Sequence, residues 1–509
     1  GTILLGYCSS KISTGITKDI RNDIFKKAQE FSHTEYDEFG VSSMITRTTN
    51  DPFVILQFTN TLLKMALITP VMFTISLVMI LKTSLSLSLV LAVAIPLIIF
   101  GVIIIAKTSE PLSEKLQKRL DKLNRISREN LTGIRVIRAF GNEKYEEKRF
   151  DETNESYAEV AKKLNKLMAI SQPLFFFLLN IAIIVIFWIS SKMINVGTLQ
   201  VGQLVAFIEY LFHAMFSIML FSMVFVMYPK AQVSANRIME VLNTEPIIKS
   251  PKNGIKDTEN KGTIEFENVS FTYPNGEEPV IKDVSFSGKK GEVIAFIGST
   301  GSGKSTLINL IPRFYDVTKG SIKIDGVDVR DYDLKYLRKK IGFIPQKTLL
   351  FTGSIANNIK FGKKDAEYKE VEDSAKIAQA YEFISNKPNK FDEIITEGGS
   401  NVSGGQKQRL SIARAIVRKP DIYIFDDSFS ALDFKTDAIL RKELRAETKD
   451  AIVLIVAQRI GSIMDADKII VLNEGEVVGI GTHKELIKNC SIYHEIATSQ
   501  LTEEELANE

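Results

Sequence analysis

Residues 298–306 read GSTGSGKST, follow the short apolar run 293–297 and open onto the apolar stretch 307–311. A strand, a glycine turn and a helix start therefore fall in succession around the pattern G-x-x-x-x-G-K-[ST]. Gly298, Gly301 and Gly303 admit backbone conformations closed to larger residues, so successive N–H groups can converge on phosphate oxygens. The positive end of the following helix adds to that attraction. Ser299, Thr300, Ser302 and Thr306 complete the cradle, and Lys304 is long enough to reach terminal phosphates. The Ser305 hydroxyl suits the Mg2+ that bridges them. A chance glycine turn would lack the strand before it and the helix after it.

Working outward, a chain of 509 residues is too long for one ordinary domain. Apolar stretches crowd the first half, and the second half alternates like a soluble α/β protein. A net charge of +3 is nearly neutral and argues against a nucleic-acid partner. The two cysteines, Cys8 and Cys490, sit at opposite ends, so neither a disulfide framework nor a metal cluster is expected. That suits working parts in a reducing compartment. The sequence starts without Met inside an apolar segment, and part of a helix is expected to be missing there.

Residues 62–81, 85–106, 168–190 and 201–228 are each long and apolar enough to cross a bilayer as a helix. Residues 1–7 read as the tail of another span. Connections alternate between short (82–84, 192–200) and long (8–61, 107–167), the long ones being charged and helical in pattern. Most of the Lys and Arg of this half lie in the long segments, which the positive-inside bias places in the cytoplasm. The chain then leaves its last span on the side where nucleotide is found. Most of these charges are simply solvated helix faces. Glu209 and His213 are different: they lie four apart, on one face of the last span, where an ionisable group is costly unless it meets a cavity or a partner. They are expected to face a central translocation cavity, with interhelical hydrogen bonding as the competing role. Asn180 and Gln172 occupy the preceding span, which Pro173 is able to bend. Residues 236–242 continue the last helix.

The expected division is a transmembrane domain over 1–243, a Pro- and Gly-containing linker over 244–262, a nucleotide domain over 263–498 and a tail over 499–509. In the nucleotide domain, 263–273 alternates as a strand and Asn275–Gly276 marks a turn. Tyr273, about 25 residues ahead of the phosphate loop, can stack its ring on a nucleotide base. Strand 341–345 leads to Gln346, and strand 422–425 ends in Asp426, a carboxylate placed to hold Mg2+ directly or through water. Between them stands NVSGGQKQR, residues 401–409.

A phosphate loop, a Gln after a strand, SGGQ, an Asp-ended strand and Ser430-Ala431-Leu432-Asp433, in this order after several spans, resemble an ATP-binding cassette exporter. The resemblance covers essentially the whole chain. Residues 45–51 (ITRTTND) resemble the family's first coupling loop and 131–140 (LTGIRVIRAF) its second. Six spans per half would make 1–7 the end of the second. The resemblance implies an all-α transmembrane domain with long cytoplasmic helical extensions, fused to an α/β P-loop nucleotide-binding domain. It also implies a plasma-membrane location with the cassette in the cytoplasm. Two ATP molecules would be sandwiched between paired cassettes. Each would rest on one chain's phosphate loop with Mg2+ held by Ser305, Gln346 and Asp426, and be capped by Ser403, Gly404, Gly405 and Gln406 of the other. Asp433 would join the same interface.

Two positions depart from the family pattern. Asp427 stands where a glutamate positions the attacking water, and Gln458 stands where a histidine contacts the γ-phosphate. Removing one methylene withdraws the carboxylate by more than about 1 Å, and an amide cannot take a proton. The expectation is therefore a slow or non-hydrolytic site whose intact signature completes the site of a second, non-identical half-transporter bearing Glu and His. The substrates would be amphipathic or lipophilic small molecules. A regulatory or channel-like subunit gated by ATP, and a homodimeric lipid or peptide exporter, are the alternatives.

Overall fold

A computed structural model describes residues 2–258, 262–274 and 276–501; the side chains of Thr2, Val102, Ala106, Ser171, Gln172 and Ser222 are outside that description. Residue 1, Asn275 of the expected turn, 259–261 of the linker and 502–509 of the tail likewise lie outside the described residues. Two compact units result, 1–25 with 45–242 and 26–44 with 243–509.

The first unit is helical. α1 (Thr2–Glu30) begins it; α3 (Val41–Thr83), α4 (Leu85–Phe140), α5 (Glu143–Asn195) and α6 (Val201–Asn243) each contain a segment long and apolar enough to cross a membrane. The apolar and charged stretches do not form separate elements. α4 runs unbroken for 56 residues, roughly 84 Å, from its Ser84 cap to Gly141, whose φ of 64° ends the helix. α5 passes through Pro173 as one helix. Backbone groups in hydrocarbon must be satisfied within their own segment, and a helix that already does so continues into water at no added nucleation cost.

Along α6, Leu204, Phe207, Leu211 and Ala214 are buried at helical spacing and pack with Ile80, Leu87, Leu91, Ile98, Leu179 and Ile186. Glu209 and His213 lie on the opposite, exposed face, 3.6 Å apart. Nearer the cytoplasm, residues 45–51 form the start of α3 rather than a loop. Arg47 pairs with Glu240 at 2.6 Å and donates to the Arg237 carbonyl at 2.9 Å, and Ser234 donates to Asp51 at 2.8 Å.

Residues 26–44 belong to the same compact unit as the cassette and carry the seven-residue helix α2 (His33–Phe39). Glu35 makes this turn: its carboxylate accepts from the Ser32 N–H and hydroxyl at 2.6 Å each and from the Ile247 N–H at 2.9 Å. Burial alone would raise its pKa, but these bonds to the charged form hold it below the ordinary glutamate value.

In the second unit, a six-stranded sheet runs in the order Glu476–Gly481, Lys468–Asn473, Val293–Gly298, Ile452–Val456, Ile422–Asp426, Ile341–Ile344, parallel except for its first strand. A four-stranded antiparallel sheet joins Ile281–Lys289, Thr263–Phe271, Lys319–Ile324 and Val327–Asp328. Alternation along Val293–Gly298 sends Ile294 and Phe296 into one apolar core and Ala295 and Ile297 into another, so the strand is buried on both faces. The linker lies on the cassette: Ile255 bridges to Tyr332, and Thr258 donates to Asp325. Lys340 joins Asp325 and Asp421 at 2.7 and 3.0 Å.

Candidate nucleotide site

Parallel register decides what meets at the site. Val456 stands opposite both Asp426 and Phe296, and Ile344 stands opposite Phe425. Gly298, which ends its strand, and Gln346, Asp427 and Gln458, which follow theirs, therefore emerge at one edge of the sheet, the carboxyl edge where α/β proteins bind ligands.

Gly303 has φ 96°, and a Cβ there would lie 2.7 Å from Ile281 Cδ1 and 3.0 Å from the Val280 carbonyl. A Cβ on Gly298 would overlap the Leu472 carbonyl oxygen. Glycine is thus demanded by the neighbours as well as by the turn. Lys304, buried, folds its ammonium onto the carbonyls of Gly298 and Ser299 at 2.9 and 2.7 Å and the Ser302 hydroxyl at 3.3 Å. Burial lowers its pKa, and the nearby Asp427 and Asp426 oppose that shift. A cation nested on carbonyls beside exposed Ser299, Thr300 and Gly301 is the arrangement an incoming polyphosphate would draw out.

Ser305 Oγ donates to Asp426 Oδ1 at 2.8 Å, at the tip of a fully buried strand. Burial pushes the Asp426 carboxyl above the ordinary range, and the charge of Asp427 adds to it; the Ser305 bond and Lys304 oppose both. Two hard oxygen donors, one of them a carboxylate raised by its burial, fit Mg2+, whose remaining positions phosphate oxygens and water would fill. Bound there, the metal would neutralise charge on the phosphates. Gln346, expected at the metal too, directs its amide N–H to Asp427 Oδ2 at 3.2 Å.

That oxygen also accepts from Gln458 Nε2, at 2.9 Å. Asp427 itself sits at φ 46°, left-handed for a non-glycine residue, with its N–H donated to the Val456 carbonyl at 3.0 Å. The two departures from the family pattern are therefore in direct contact. Tyr273 is held at the site by a 3.0 Å hydrogen bond between its hydroxyl and Thr306 Oγ1.

Other expected residues lie elsewhere. Ser403 caps the helix Gly404–Ile416, exchanging hydrogen bonds with Gln406 at 3.1 and 3.3 Å. Gly404 has open space where a Cβ would sit, and Gly405 packs near the Ala431 carbonyl. Asp433 caps the helix Phe434–Glu447 through Thr436 N–H at 2.9 Å. Among the described residues, no hydrogen bond links 403–406 or Asp433 to 298–306. Gln500 was not legible in the sequence: it donates to the Gln458 carbonyl and accepts from the Ile460 N–H, both at 2.9 Å, and no local motif announces it. Tyr315, whose ring meets Tyr273, had only one signal, the aromatic pair Phe314-Tyr315 after the phosphate-loop helix.

Fold and site together define a membrane-embedded helical domain fused to a P-loop ATPase. Family models described as "ABC transporter transmembrane region" and "ABC transporter" match residues 1–226 and 281–430. The chain is 38% identical over 502 residues to the uncharacterized ABC transporter ATP-binding protein YfiB of Bacillus subtilis, covering 99% of this chain and 87% of that one. It is 32% identical over 499 residues to the putative multidrug export ATP-binding/permease protein YgaD of the same organism, covering 97% and 85%. A solved bacterial Atm1-family ABC exporter with ATP bound superposes with a TM-score of 0.83 at 26% identity, covering 97% of this chain and 86% of that structure. This chain belongs to the ABC transporter family. It is a multi-pass membrane exporter with a cytoplasmic cassette, an ATPase coupled to transport.

Burial raises the Asp427 pKa above the ordinary aspartate value, against the opposing pull of Gln346, Ser430, Lys304 and Arg459. A carboxylate can take a proton only when ionised, so a base role for Asp427 would be lost as pH falls through this raised value. Single-turnover γ-phosphate cleavage in this pocket should therefore fall on acidification at a pH above the ordinary value of about 3.9. An acid limb at or below that value would contradict the assignment.

Proposed function

We propose that this chain is the hydrolysis-impaired half of a two-chain exporter, whose signature segment completes the working ATP site of a non-identical partner bearing Glu and His. The observation that carries the reading is the carboxylate of Asp427, shortened by one methylene and accepting amide N–H groups from Gln346 and Gln458 on a single oxygen. Attack by water needs a base within hydrogen-bond reach and a proton path away from it. The short side chain and the non-basic amide weaken both, for a rate loss on the order of a hundredfold. The residues 403–406, capped and ordered on their own helix, carry no comparable change.

Amphipathic or lipophilic small molecules are the proposed cargo. The multidrug export named for YgaD supports this, as does the exposed face of α6, where Glu209 and His213 share a surface with the stacked rings of Phe212 and Phe216. A carboxylate about 12 Å along the helix from Val201 is stable facing a wet cavity and costly facing lipid.

Mass spectrometry of the assembly purified from its host should find a second cassette chain. An assembly of this chain alone should hydrolyse ATP far below the ~10 s⁻¹ typical of enzymes, and Asp427→Glu with Gln458→His should raise it on the order of a hundredfold. A single-chain assembly turning over at ordinary transporter rates would contradict the proposal. Glu209→Gln should slow uptake of lipophilic amines into inverted vesicles several-fold; unchanged transport of every compound tested would remove Glu209 from the cargo path.

A further inference from the structure

Tyr315 links two parts of the second unit that have separate tasks. Its ring meets Tyr273 edge-on, with centroids 5.3 Å apart and planes at 82°. Phe271 completes the cluster, 5.5 Å from Tyr315 and 4.9 Å from Tyr273. On its other side Tyr315 meets the His33 ring of α2 at 5.9 Å, also edge-on, while His33 packs on Phe314 at 4.7 Å. Aromatic pairs in these geometries resist tilting, because ring edges and faces carry opposite partial charge. Tyr273 has one further restraint, the hydroxyl bond to Thr306. Its ring plane is therefore set by Thr306 at one end and by Tyr315 and Phe271 at the body.

α2 is a firm partner for this cluster. Glu35 pins its first turn to Ser32 and Ile247, Tyr36 donates to the Ala28 carbonyl at 2.9 Å, and Phe31 stacks on Phe39 at 5.7 Å. Burial and Asp37 push the Tyr315 hydroxyl up to about 12, so the ring stays neutral at any working pH. Lowered by burial, with Arg338 adding to that and Asp37 opposing it, the pKa of His33 favours a neutral imidazole at its contact with the two rings.

We propose that Tyr315 is the positioning residue for nucleotide-base recognition: it sets the Tyr273 ring and passes the occupancy of that ring to α2 through His33. The inference rests on the cassette binding ATP with Tyr273 against the base, and is independent of how fast the pocket hydrolyses it. Occupying one face of Tyr273 restrains a ring whose edge contacts already reach α2, and linkage requires that the effect run both ways.

The test compares ATP with inorganic triphosphate, which offers the phosphate loop a similar polyanion and Tyr273 no base. In the purified full assembly, Tyr315→Leu should weaken ATP binding about 3- to 10-fold, the value of an aromatic pair, and leave triphosphate binding unchanged. Tyr315→Phe, which keeps the ring, should bind both as the parent does. In the parent protein, hydrogen exchange at amides 33–39 should slow more with ATP than with triphosphate, and Tyr315→Leu should erase the difference. Equal weakening of both ligands, or of neither, would overturn the positioning role. Equal protection of 33–39 by ATP and triphosphate in the parent would overturn the link to α2, even if the Leu variant failed to fold.

Discussion

Four parallel strands in fixed register are the constraint on which the site depends. Val293–Gly298, Ile422–Asp426 and Ile452–Val456 are paired so that Phe296, Asp426 and Val456 stand level, and Ile341–Ile344 ends beside them. A slip of one residue in any pair would turn buried Ile and Phe side chains to the wrong core and withdraw Gln346, Asp427 or Gln458 from the loop. The two apolar cores that enforce the register are therefore also what aims the chemistry. Lys304 and the Ser305–Asp426 bond then tie the helix Lys304–Leu310 to the same edge.

The first unit obeys a different constraint. Its spans expose Leu85, Leu89, Val93 and Phe100 along α4 and many comparable side chains on the other helices, a surface that water would not tolerate and lipid does. Within that apolar surface the charged face of α6 stands out by its cost alone. Where the helices leave the apolar zone, ion pairs replace methyl contacts: Arg47 with Glu240, and Arg149 with Glu129 at 2.6 Å. The carboxylate partner of each pair is exposed, so water screens the attraction and its contribution to stability is small.

Much of this was legible in the sequence, and the boundary has a physical cause. The phosphate loop and the spans are local patterns, nine residues in one case and roughly twenty apolar ones in the other, so they can be read without a partner. SGGQ was legible as a motif, and its helix cap follows from Ser403 and Gln406 three residues apart. α2 was not. A seven-residue helix has no periodicity to detect, and its turn is made by Glu35, one carboxylate among many in a charged stretch. The contact of Asp427 with Gln346 and Gln458 spans 81 and 31 residues, and that of Gln500 with Gln458 spans 42. No local signal carries such separations. The sequence showed two odd residues, and the structure shows that they touch.

That contact changes how the pocket is understood. One carboxylate oxygen accepts from two neutral amides that cannot take up a proton, and on the proposed reading such a site retains nucleotide. The most direct measurement is the identity of the nucleotide in each pocket of the working assembly after one round of turnover, with each pocket assigned by photolabelling of its own chain. The account predicts ATP still intact on this chain and ADP on its companion. ADP formed equally fast in both pockets would contradict it.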